Sequence, residues 1–229
     1  MSNELETYLS GITVPIVNDI SYSLVRHETK KHSIRELTDI VRVVLHTTDW
    51  DTTPQRIAEY DVSKNHISDT GCPGITYHEI IMKDGQCLIT LPHEEISWHA
   101  GPWNKGSLAV ALMYRVSNAE GVDTFAPTYD ALRAAVARCG EICLALGILP
   151  ENVVGHRELE FTGWSWFKGS KVRRKTCPGM QIDLDLFRTR VAGYMQIKMA
   201  IRGYYADEID GAFGKVSKAA LVEYQKHDI

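Results

Sequence analysis

Apolar residues in this chain fall into two rhythms. The first is the short uninterrupted run of a buried strand. Ile40-Val41-Arg42-Val43-Val44-Leu45 is β-branched and ends at His46, which predicts a strand. Residues 107–116 (SLAVALMYRV) form a second run, and Val153-Val154 a short third one that ends near His156. Residues 77–82 (YHEIIM) and 86–91 (QCLITL) flank Lys83-Asp84-Gly85. That predicts a β-hairpin whose Asp-Gly pair supplies the positive-φ turn.

The second rhythm is helical. Thr52-Thr53-Pro54 is a helix start, a Thr cap before a first-position Pro, and the helix is expected to run to about Lys64. Pro127-Thr128 opens a longer one. Its apolar Leu132, Ala135, Val136, Cys139, Ile142, Cys143 and Leu146 keep three- and four-residue steps, and Gly147 closes it. A further helix is expected from about Asp183. Strands interleaved with helices predict an α/β domain with a central β-sheet, placed over residues 39–190. Residues 1–38 lack a period and are expected to form an N-terminal arm. From about Val191 the texture becomes helix, glycine-rich loop, helix, so 191–229 are expected to be a small helical module.

Composition narrows the function classes. Of 229 residues, 44% are hydrophobic and 24% charged, which is ordinary for a globular chain. A net charge of -4 argues against a non-specific nucleic-acid binder, which needs a basic surface to displace counterions. The basic run 168–175 (KGSKVRRK) is expected to be a solvated loop. No stretch approaches the roughly 18 apolar residues of a membrane span, so no membrane insertion is expected. The opening MSNELETYLS has no basic segment before an apolar one, so no signal peptide is expected and synthesis in the cytoplasm is. Five cysteines without an export signal do not read as a disulfide framework. Cys139 and Cys143, four apart on a helix, are expected to pack as small hydrophobes.

Three residues could carry metal chemistry. His46 and His156 each stand at the end of a predicted strand, and Cys177 lies in the basic loop RRKTCPG. Catalytic zinc takes three protein ligands and keeps a fourth position open. Spacing alone does not make these three a metal site, because no His-x-x-x-His or Cys-x-x-Cys is present. A histidine at a strand end is more often simply hydrogen-bonded.

The segments VVLHTTDW, GITYHEIIMKDG, ISWHAGPWNKGSLAVAL, VVGHRE and RKTCPG, in that order, resemble the type 2 N-acetylmuramoyl-L-alanine amidases. That family includes phage amidase lysozymes and the peptidoglycan recognition proteins. The likeness runs from about Ile40 to Asp185. It implies a mixed sheet flanked by helices, and one zinc per chain at the floor of a groove, held by His46, His156 and Cys177. It implies catalytic roles for Tyr77 and Lys175, and places His99 and Asn104 along the substrate groove. His27, His32, His66, His78, His93 and His227 are expected to be structural or solvated. Between His156 and Cys177 the chain carries a long segment with Trp164, Trp166 and Phe167, readable either as a groove wall or as a local hydrophobic plug.

The resemblance implies hydrolysis of the amide joining N-acetylmuramic acid to L-alanine in peptidoglycan. Gly203 to Tyr205 and Ile209 to Gly214 (IDGAFG) resemble part of a small three-helix peptidoglycan-binding module. Lack of an export signal fits either an enzyme of muropeptide recycling or an endolysin released through a holin, and the wall-binding-like tail favours the endolysin. A non-catalytic recognition protein is the other alternative, disfavoured because all three ligand types are present.

Overall fold

The computed structural model describes residues 3–117, 125–159 and 176–227. Its strands are β1 (Val17–Asp19), β2 (Arg42–Thr47), β3 (Glu79–Ile81), β4 (Cys87–Ile89), β5 (Ser107–Leu112) and β6 (Val153–Gly155). Its helices are α1 (Asn3–Ser10), α2 (Pro54–Val62), α3 (Tyr129–Leu146), α4 (Leu184–Ile201) and α5 (Lys215–His227). Among the described residues the strands form one sheet in the order β1-β4-β3-β5-β2-β6. The β3–β4 hairpin is antiparallel and the other pairings are parallel. The sheet is therefore mixed and flanked by helices. No helix among the described residues is long and apolar enough to cross a membrane.

Local chemistry explains the elements. β2 and β5 lie inside the sheet and bury both faces, which is why they read as continuous apolar runs rather than alternating ones. The Thr53 hydroxyl accepts from the Arg56 amide at 3.3 Å, and Pro54 follows it at the first helical position. Thr128 caps α3 the same way, and Gly147 ends it at φ 66°. Gly85 takes φ 85° in the hairpin turn.

The two faces of the sheet differ. Val43 and Leu45 of β2 belong to a large core built with α1, α3, α4 and α5. Successive strand residues point to opposite faces, so Val44 and His46 face the other side, where Ile57 and Ala58 of α2 pack with Ile80, Ala111 and Met113. Cys139 and Cys143 are fully buried in the large core. Burial pushes both thiols up, so they stay neutral and pack as hydrophobes.

Both chain ends contribute to that same core. Leu5, Tyr8 and Leu9 of α1 join it, and β1 forms an edge of the sheet. The boundary expected at 190/191 lies within α4, which continues to Ile201 with Val191, Met195 and Met199 buried. From within α4, the Gln196 amide nitrogen reaches the loop that follows, donating to the Tyr205 hydroxyl at 3.0 Å and to Asp210 Oδ1 at 2.9 Å. Its oxygen accepts from the Gly211 amide at 2.9 Å. With the bond from the amide nitrogen to Ala212 O at 3.1 Å, three residues of IDGAFG are structural partners of one buried side chain, and Ala220, Leu221 and Tyr224 of α5 complete the packing.

The α3–α4 contact has no spare room. A methyl group on Gly140 would meet the Tyr194 ring at 2.4 Å. Overpacking costs about 1–3 kcal/mol, offset in part by the roughly 1 kcal/mol that alanine gains over glycine in a helix. Gly140→Ala is expected to lower Tm by a few degrees in a thermal melt. An unchanged or higher Tm contradicts this packing.

Candidate metal centre

His46 is the fifth residue of β2, and parallel pairing brings its neighbour strand to the same level. Leu45 is in register with Gly155, the last residue of β6, so His46 and His156 emerge side by side with ring centroids 4.5 Å apart. Cys177 arrives on the loop before α4. Arg157, next to His156, holds that loop. Its amide donates to Cys177 O at 2.7 Å, and its guanidinium donates to Gly179 O and to Ile182 O. The Tyr114 hydroxyl donates to Pro178 O. Glu158 completes the GHRE segment by accepting from the Gly155 amide at 2.8 Å and pairing with Arg188.

The donors converge at the C-terminal end of the strands, where open α/β sheets place their sites. One ligand atom from each of His46, His156 and Cys177 lies within 4.8 Å of the others, and among the described residues this is the group of His, Cys, Asp and Glu so arranged. His46 and His156 are buried and Cys177 half-buried. The Cys177 sulfur stands 3.6 Å from His46 Nδ1 and accepts from the Thr47 amide at 3.4 Å. Zinc–sulfur and zinc–nitrogen bonds of about 2.3 and 2.0 Å at a tetrahedral angle put the two donor atoms about 3.5 Å apart. The donor set and this spacing therefore fit zinc.

The three sit on the floor of a cleft of about 570 Å³. Tyr77, His99 and Thr176 line it, as do Trp98, His66 and Val116. Tyr77 directs its hydroxyl to Thr47 O at 3.4 Å, with its ring 5.4 Å from that of His46. Burial, and then the Cys177 sulfur, push the phenol pKa well above its ordinary value, so the group remains a hydrogen-bond donor throughout the physiological range. His99 reaches His46 directly, Nδ1 to Nε2 at 2.9 Å.

Asn104 does not line the cleft. Its Oδ1 accepts from the Ala100 amide at 2.6 Å, bracing the turn that follows His99. Lys175, the aromatic residues Trp164, Trp166 and Phe167, and the basic run 168–175 lie outside the described residues. His78 is fully buried and holds the Ala109 amide at 2.9 Å. His66, expected to be structural or solvated, stands on the cleft rim with its ring stacked on Tyr60 at 4.0 Å. A lone histidine in a loop gives no sequence signal of that position.

Tyr77 is aimed by the residue before it. Thr76 donates its amide and its hydroxyl to Asp61 Oδ2 at 2.8 and 2.9 Å. Burial raises the Asp61 pKa from the usual 3.8 to about 6, against the two Thr76 hydrogen bonds that lower it. The folded protein therefore holds this proton more tightly than the unfolded chain. Its contribution to stability is present below pH 3.8 and is lost as pH rises to about 6. A shift of about two units corresponds to about 3 kcal/mol. Asp61→Asn can accept both Thr76 bonds without titrating, so stability of the wild type relative to this variant is expected to fall across that window and to level off above it. Denaturant titrations of both proteins from about pH 4 to about pH 7 measure the difference. Parallel profiles would show that Asp61 is not protonated in the fold.

The family model described as N-acetylmuramoyl-L-alanine amidase matches residues 36–180. No curated protein sequence matches the chain. Among solved structures, the chain is similar to the endolysin N-acetylmuramoyl-L-alanine amidase LysCS from Clostridium intestinale URNW. The TM-score is 0.56 at 18% identity, covering 79% of this chain and 98% of that one. It is also similar to the Ph2119 endolysin of the Thermus scotoductus MAT2119 bacteriophage Ph2119, with a TM-score of 0.54, 21% identity, and 77% and 99% of the two chains covered. Drosophila peptidoglycan recognition protein SD gives 0.52 at 20% identity over 73% and 89%. At these identities the structural likeness is one of fold.

Proposed function

The chain belongs to the N-acetylmuramoyl-L-alanine amidase family, and from that premise we propose that it is a zinc-dependent endolysin cutting the bond between N-acetylmuramic acid and L-alanine in peptidoglycan. The observation that carries the zinc dependence is the convergence of His46, His156 and Cys177 within 4.8 Å. Zinc held there supplies Lewis-acid polarisation of the scissile carbonyl and lowers the pKa of a bound water toward neutrality.

The chain's own residues do the rest. The cleft floor receives the amide with its carbonyl oxygen toward Tyr77. As that oxygen gains negative charge, the Tyr77 hydroxyl donates to it. Lys175, two residues before Cys177, is proposed as a second donor to the same oxygen. The Thr47 amide, donating to the Cys177 sulfur, orients it toward the two histidines. Arg157 fixes the loop that carries the sulfur, so the third ligand is held by backbone contacts and not by its own side chain alone.

A recognition protein that only binds wall fragments needs the cleft but not the donors. The complete set of two histidines and a cysteine therefore supports the enzyme. Release through a holin remains part of the endolysin reading, which rests on the wall as substrate.

Mass spectrometry of purified sacculi after digestion tests the reaction. Free L-alanine amino termini on intact stem peptides, with lactyl groups left on the glycan, are expected. New reducing sugar ends without such amino termini would overturn the assignment. Elemental analysis of the purified protein is expected to give one zinc per chain.

A further inference from the structure

A chain of hydrogen bonds runs from the metal centre to the backbone behind it. His46 Nε2 is 2.9 Å from His99 Nδ1, and His99 Nε2 is 3.1 Å from Ser107 Oγ. Ser107 Oγ in turn donates to Trp103 O at 2.7 Å. All three side chains are buried, Ser107 completely.

The direction of this chain is set at its far end. A carbonyl can only accept, so the Ser107 hydroxyl proton points at Trp103 O. Ser107 Oγ then accepts from His99, which places the His99 proton on Nε2. His99 Nδ1 is left with a lone pair, and it accepts from His46 Nε2–H. His46 consequently carries its proton on Nε2 and presents an unprotonated Nδ1, the atom that stands 3.6 Å from the Cys177 sulfur. The opposite direction would turn the Ser107 proton onto His99 and leave two oxygens facing each other at 2.7 Å.

We infer that His99 and Ser107 are positioning residues for the metal ligand His46, fixing its tautomer and ring orientation before metal arrives. This rests on the zinc reading given above. It also gives the SWHAGPWNKGS segment a purpose distinct from substrate contact. His99 supports His46, the 101–103 turn supplies the terminal carbonyl, Asn104 braces that turn, and Ser107 connects the two.

The test compares His99→Ala, His99→Asn and Ser107→Ala with the wild type. Zinc affinity is measured by competition with a chromophoric chelator, and KM with a soluble muramyl-peptide. Loss of an outer partner to a metal-bound histidine typically weakens binding about 10- to 100-fold, and that loss is expected for His99→Ala. His99→Asn keeps an acceptor near the Nδ1 position and is expected to recover most of the affinity. Ser107→Ala removes a group that does not line the cleft, and a several-fold loss of zinc affinity with unchanged KM is expected. In the zinc-loaded wild type, nitrogen-15 NMR is expected to show a slowly exchanging proton on His46 Nε2.

Raised KM with unchanged zinc affinity in His99→Ala would assign His99 to substrate and overturn the inference. So would a His46 proton found on Nδ1, or zinc affinity in Ser107→Ala equal to wild type. If the wild type itself binds no zinc, the metal reading fails first, and that result is visible before any variant is made.

Discussion

Cys177→Ser is expected to leave a folded protein with little zinc and almost no turnover. The substitution replaces a soft thiolate by a neutral hydroxyl, which is a poor partner for zinc at neutral pH. The fold should tolerate it, because besides the Thr47 amide on the sulfur the loop is held through Cys177 O, Pro178 O and Gly179 O. Since losing an outer partner already costs about 10- to 100-fold in affinity, losing a direct ligand is expected to cost more. Elemental analysis after dialysis against a weak chelator reads the metal, and a soluble muramyl-peptide reads the rate. A variant with one zinc and wild-type turnover would remove Cys177 from the ligand set.

Tyr77→Phe should separate binding of the metal from use of it. The hydroxyl makes a long bond of 3.4 Å to Thr47 O, so its loss costs little stability, and the ring can keep its packing near Ile57, Ile80 and Met113. Removing one donor from a developing oxyanion typically lowers kcat about 100- to 1,000-fold. Zinc is expected to remain at one per chain and KM to change little, because the lost interaction belongs to the transition state. Wild-type kcat in this variant would leave the oxyanion role to other groups. A loss of zinc would instead make Tyr77 part of the metal's support.

Sequence patterns revealed the elements whose burial is continuous or regular. β2, β5 and α3 were readable because apolar runs and three- or four-residue steps survive any choice of partner strand. β1 was not, since its three residues, Val17, Asn18 and Asp19, are half-buried or exposed at the sheet edge and carry no period. The continuity of α4 was hidden for another reason. The change of texture read from about Val191 comes from the glycine-containing loop beyond Ile201, while residues 191–201 continue the same helix. His46, His156 and Cys177 had no local signature of metal binding because their proximity arises from strand register and a returning loop; the ordered family motifs were needed to associate them. Arg157 carries no local signal because the carbonyls it holds belong to a loop far along the chain, and Ser107 carries none because its hydroxyl acts only once a turn brings Trp103 O and His99 beside it.

The parallel pairing of β2 has a kinetic meaning. A parallel neighbour cannot be reached by a tight turn, so β2 meets β5 and β6 only after long segments have been closed. His46 and Cys177 are 131 residues apart in sequence. Non-local assembly of this kind slows folding, and the ligand set has no local precursor in the unfolded chain. Under the zinc-dependent function proposed above, metal capture would thus be a late event that reports completion of the tertiary structure. A ligand bound only by the native state raises the free energy of unfolding with the logarithm of its concentration, so under that proposed function free zinc would act as a latch on the finished fold, and its withdrawal would loosen the enzyme as well as silence it.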